Sequence, residues 1–115
     1  MALNTKKPKS ILPSDIEDWQ SKDKQRRKIG VVKFESEFSE SGYVEFFIHA
    51  PTKEQVNAIA EIAAERKAGW VTKIQELAIN SCVLAGDLDI AEQDDSVYFA
   101  LNEQCQLLFE TKKKL

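Results

Sequence analysis

The chain is poor in the residues that most chemistry needs. It has one histidine, two cysteines and four glycines in 115 residues. Catalysis calls for a nucleophile, a base and a group that steadies developing charge, and His49 is the only imidazole on offer. It stands at the end of a strand-like run beside Ala50-Pro51, which fits a surface or junction residue better than a base. The glycines are isolated at positions 30, 42, 69 and 86, so no phosphate-cradling loop and no nucleophile elbow exists. Cys82 and Cys105 are too few for a disulfide framework and too far apart for a zinc motif. Each sits among apolar residues, as buried thiols in a reducing compartment do. An enzyme is not expected, and neither a cofactor nor a metal.

Long apolar runs are missing as well, so no bilayer-crossing segment is expected. The first residues run straight into Lys6, Lys7 and Lys9 without the apolar stretch of a signal peptide. Both points suggest a cytoplasmic protein. The formal net charge is -3. Positive charge gathers at Lys22, Lys24, Arg26, Arg27 and Lys28, without aromatics between them to stack on bases, so a nucleic-acid partner is not expected. The acidic run Asp87, Asp89, Glu92, Asp94 and Asp95 starts like a calcium loop but has Ala91 and Glu92 where ligand and glycine belong. A solvated loop that caps the last helix is the better reading.

What is present is enough apolar residue for one core, 43% of the chain. Residues 1–12 lack periodicity and read as a flexible tail, 13–110 as a single α+β domain, and 111–115 as a basic tail. Ser14-Asp15-Ile16-Glu17 has the form of a capping box, with Trp19 pinning the short helix behind it. Residues 29–37 and 43–49 alternate as two strands of an antiparallel hairpin around a polar loop. Thr52 and Gln55 form the clearest helix start, with Val56, Ile59, Ala60 and Ala63 on one face and Gly69 as the left-handed stop. A further helix is predicted from about Trp70 to Leu84, with Ile74, Leu77, Ala78 and Cys82 inward. Val97, Leu101, Cys105 and Leu108, broadened by Phe99, Leu107 and Phe109, predict a last helix. The expected fold is an N-terminal helix, a two-stranded hairpin and three helices packed as a small bundle.

With no site for chemistry, apolar surface becomes the functional candidate. A lone hairpin has two faces, and here both carry aromatics: Phe34 and Phe46 on one, Tyr43 and Phe47 on the other. Whichever face the helices leave open invites a partner or self-association through a strand edge. The partner-binding candidates are Tyr43, Phe47 and Phe38.

From Tyr43 onward the chain resembles the tail assembly chaperones of long-tailed bacteriophages. The matching pieces are Phe46-Phe47-Ile48-His49-Ala50-Pro51-Thr52-Lys53-Glu54-Gln55, Asn80-Ser81-Cys82-Val83-Leu84-Ala85-Gly86-Asp87 and Lys112-Lys113-Lys114-Leu115. The chain departs from the pattern at Ser81, which splits an Asn-Cys pair, and at Gly86, which stands alone where paired glycines are usual. The resemblance implies a protein without an active site. It would bind the tape measure protein, and possibly the tail tube protein, in the bacterial host cytoplasm during tail assembly. A homo-oligomer also fits. It further implies a longer frameshifted product, for which the terminal lysine run would be the slippery stretch. A general interaction module for another client is the alternative, and a nucleic-acid-binding regulator a more distant one.

Overall fold

The computed structural model describes residues 3–24 and 27–113. It holds five helices and one three-stranded antiparallel sheet. The elements are α1 (Pro13–Lys22), β1 (Ile29–Glu35), β2 (Tyr43–His49), α2 (Lys53–Glu65), α3 (Trp70–Cys82), β3 (Val83–Gly86), α4 (Leu88–Gln93) and α5 (Asp95–Lys113). The mixed helix-and-strand class agrees with the expectation. The hairpin has a third strand, however, and the helical part is not a simple three-helix bundle.

The hairpin pairs Ile29 with His49 through to Glu35 with Tyr43. Its loop closes where the Ser36 amide donates to Gly42 O at 2.9 Å and Gly42 adopts φ 84°. β3 pairs with the other side of β2, Gly86 opposite Phe46 and Ala85 opposite Phe47. Val83 then meets Ile48, so Leu84 is the extra residue of a bulge. Gly86 is required there. Its φ is +147°, and a Cβ would stand 2.3 Å from Phe46 Cδ1 and 2.9 Å from Glu45 O.

The sheet's inner face and the helices α3, α4 and α5 share one core, with Phe46, Ile79, Leu88, Val97 and Leu101 almost wholly buried. Several expectations need correction here. α3 stops at Cys82 rather than Leu84, and its buried residues are Ala78, Ile79, Ser81 and Cys82. Leu77 is only half-buried. Phe99 and Leu107 of α5 face outward, so the stripe is narrower than the sequence suggests. The acidic run is not an open loop. Leu88, Ile90 and Ala91 bury one side of α4, and the acids take the other. Asp94 caps α5, accepting from the Ser96 amide at 3.0 Å. α5 itself continues to Lys113, into the segment read as a basic tail. Lys114 and Leu115 lie outside the described residues.

α2 begins as expected. The Gln55 amide donates to Thr52 Oγ1 at 3.2 Å, and the Thr52 amide donates to Gln55 Oε1 at 2.8 Å. It ends earlier, with Arg66 in the left-handed region, while Gly69 starts α3. Ala60 is exposed, and no residue of α2 is fully buried. The Ser14–Glu17 capping box does not form. α1 starts at Pro13, and Asp15 Oδ2 accepts from the Leu12 amide at 2.9 Å.

The segment before α1 is no free tail. Leu3 is buried in the core. The Asn4 amide donates to Asn80 Oδ1 at 2.8 Å, and the Gly86 amide donates to Pro8 O at 2.8 Å. Lys7 Nζ donates to the carbonyls of Asn80 and Val83, where α3 ends. An ammonium there meets the negative end of the helix dipole. Burial lowers the Lys7 pKa, opposed by the nearby thiols of Cys82 and Cys105.

Candidate functional site

Alternation along β2 sends Val44, Phe46 and Ile48 into the core and Tyr43, Glu45 and Phe47 outward. On β1 the outward residues are Ile29, Val31, Lys33 and Glu35, each opposite its β2 partner. The two ends of this outer face differ. At the His49 end, α1 covers it. Trp19 lies on the His49 ring with centroids 4.7 Å apart, and the Arg27 guanidinium sits 5.1 Å from the Trp19 ring centre. Arg27 is itself fixed: Nε is 2.9 Å from Asp23 Oδ2, and Nη1 donates to Ala50 O at 2.8 Å.

Of the two expected placements, surface or junction, His49 takes the junction: it is buried at the α1 contact. Its Nδ1–H donates to Ala50 O at 2.9 Å. Burial holds its pKa below the ordinary value. The Ala50 hydrogen bond opposes this, and the Arg27 and Lys7 cations reinforce it. The ring is enclosed and stacked on an indole, and its charged form is disfavoured.

At the Tyr43 end nothing covers the outer face among the described residues. Tyr43 and Val31 are about half exposed, at 47% and 54%. Lys33 Nζ stands 4.7 Å from the Tyr43 ring centre. Phe38 projects from the hairpin loop and is 57% exposed. That loop is tethered, because Ser36 Oγ donates to Asp94 Oδ2 at 2.8 Å and accepts from the Phe38 amide at 3.2 Å. A large apolar side chain is therefore held in water by a fixed turn. Of the three residues singled out from sequence, Tyr43 and Phe38 are exposed, and Phe47 is half-buried between Val31 and Ala85. Tyr43 and Phe47 share the face, and Phe38 lies beyond its end.

A cleft of about 900 Å³ lies between α1, the N-terminal segment and β3, with Ile11, Trp19 and Leu84 as its apolar walls and Asp15 and Lys24 among its charged ones. Sequence reasoning missed it, because its walls are far apart in the chain. The basic stretch beside it is partly neutralised, with Lys22 Nζ 3.1 Å from Asp18 Oδ2 and Arg27 bound to Asp23. Arg26 lies outside the described residues.

The remaining candidates for chemistry are enclosed. Cys82 and Cys105 are free and buried. Cys82 Sγ donates to Cys105 O at 3.9 Å, and hydrogen bonding to Cys82 together with burial drives the Cys105 thiol pKa far up, away from a reactive thiolate. Among the described residues no three His, Cys, Asp or Glu side chains gather to hold a metal ion. No helix among them is long and apolar enough to cross a membrane. A scan against protein-family models, a search of curated proteins and a search of solved structures found no match to the chain.

Proposed function

We propose that the chain is a protein-binding module, and that it acts as a tail assembly chaperone that holds a phage tape measure protein until the tail tube forms around it. One observation carries the binding reading: the uncovered end of the sheet, where Val31, Tyr43 and the tethered Phe38 stand in water. Apolar and aromatic side chains grouped on a small domain mark contact surfaces. The face is modest in area and interrupted by Lys33 and Glu45. That suits a client that must later be released, since binding energy beyond the ordering cost stays small. The choice of client rests on the sequence resemblance from Tyr43 onward.

The reading expects a long, helix-rich protein to be encoded next to this gene, and co-expression with that neighbour tests it. The chain should keep that protein soluble and co-purify with it. Tyr43→Ser together with Phe38→Ser should weaken the complex by about tenfold or more. A neighbouring protein that stays soluble alone, or never co-purifies, would remove the tail-assembly assignment.

The cleft beside Trp19 supports a second reading, an adaptor for a different client that inserts a side chain between Trp19 and Leu84. Leu84→Glu would then abolish binding, while the Tyr43 and Phe38 variants would leave it unchanged.

A further inference from the structure

The two edges of the sheet are finished differently. On β3 the outer side is occupied by the N-terminal segment, through the Gly86 amide bond to Pro8 O at 2.8 Å. On β1, at the other end of the strand order, no strand pairs with the outer side among the described residues. Seven residues of unpaired strand edge are a template for another strand.

We propose that β1 is a self-complementary edge, and that two copies of the chain join antiparallel through it about Val32 to form one continuous sheet. Three features of β1 favour a second copy over any other strand. The first is incomplete burial. Val32 and Phe34 point to the core side yet are only half-buried, whereas the residues paired with them, Phe46 and Val44, are buried. An added strand would cover what the single chain leaves open.

The second feature is Gly30. It lies in mid-strand, where glycine weakens a sheet. Nothing in the single chain demands it: its backbone is ordinary, and a Cβ there would meet nothing within 4 Å. Pairing centred on Val32 sets residue 30 of one copy opposite residue 34 of the other, on the same face. The Phe34 ring of the second copy would then lie flat across Gly30, as aromatic rings do over strand glycines, and a side chain at position 30 would displace it from there.

The third feature is charge. Lys28, exposed beside the Arg27–Asp23 pair, stands at the start of β1, and the exposed Glu35 and Glu37 stand at its end. Antiparallel pairing of identical strands places each basic end beside the other copy's acidic end. Parallel pairing would set like charges together. The dyad also keeps the outward residues of both copies on one side, so the two Val31, Tyr43 and Phe47 faces become neighbours. This inference stands whether or not the client is a tape measure protein.

Sedimentation equilibrium on the full chain tests it. The wild-type chain should show twice the 13.1 kDa chain mass at high concentration. Glu35→Lys with Glu37→Lys should be monomeric, Lys28→Glu should associate more weakly, and mixing the two should restore a dimer. Gly30→Val should weaken association by about tenfold while its thermal midpoint stays at or above wild type. Circular dichroism confirms that each variant is folded. If the charge-reversed chain fails to fold, Gly30→Val decides alone. A wild-type chain that stays monomeric at every soluble concentration overturns the proposal. So does a dimer that none of these substitutions weakens. A monomer whose β1 amides gain exchange protection only on adding client gives the edge to a client strand, and overturns it as well.

Discussion

α2 and α5 make an instructive pair. α2 has the best local credentials in the chain, with both halves of its capping box formed and a basic residue closing it in the left-handed region. Yet it buries none of its residues fully. α5 has a simpler start, one carboxylate oxygen on the Ser96 amide, and it buries Val97, Leu101, Cys105 and Phe109. Local bonds decide where a helix starts. Burial decides how much of the fold depends on it. The molecule thus has a dense half, in which β2, β3, α3, α4 and α5 share one core, and a lighter half of α1 and α2 laid on it.

The sharpest way to break this contrast is to open a hole in the dense half. Leu101 is fully buried on α5. Leu101→Ala should cost about 2–5 kcal/mol in chemical denaturation, because the cavity adds to the lost transfer energy. A change near zero would mean that the core can collapse around the gap, and that the dense half is not dense.

The same contrast explains what could be read in advance. Strand alternation over 43–49 and the Thr52 start are short-range signals, and both appear in the structure. Tyr43 and Phe38 were legible as exposed candidates because alternation and a polar loop place them outward. β3 was hidden. Val83-Leu84-Ala85-Gly86 continues an apolar helical stripe, and four residues cannot distinguish a buried strand from the end of a helix. Gly86 resembles a helix stop, but the ring of Phe46, forty residues earlier in the chain, is what demands it. The segment at 3–8 was opaque for the same reason. Leu3 and Lys7 acquire their roles only through Asn80, Val83 and the core. α4 was masked by its acids, which occupy the water-facing positions around Leu88, Ile90 and Ala91. The cleft at Trp19 is assembled from residues as distant as Pro8, Thr52 and Leu84, a juxtaposition no local pattern announces.

A smaller effect tests the light half. Thr52→Ala removes the oxygen that accepts from the Gln55 amide. It should cost about 1 kcal/mol of helix stability. Because α2 buries no residue fully, that loss should appear as faster amide exchange within residues 53–65, with the global denaturation midpoint almost unmoved. If the midpoint falls by the whole amount, α2 unfolds together with the core and the division into halves is wrong.

The smallest effect is a dependence on pH at the seam between the halves, where Trp19 rests on His49. The His49 pKa is lowered in the folded chain, first by burial and then by Arg27 and Lys7, against the pull of the Ala50 hydrogen bond and Asp23. Below the ordinary imidazole value, near 6.5, the unfolded chain therefore takes up a proton more readily than the folded one. Stability from the neutral ring is present above that value and is lost as the pH falls toward the lower folded pKa. Denaturation midpoints should decline across that window, and His49→Gln should flatten this part of the decline. Trp19→Ala should flatten it too, by opening the ring to water and returning its pKa toward the ordinary range. If the Trp19 variant keeps the full slope, α1 is not what encloses His49, and the light half contributes less to the seam than the stacking suggests.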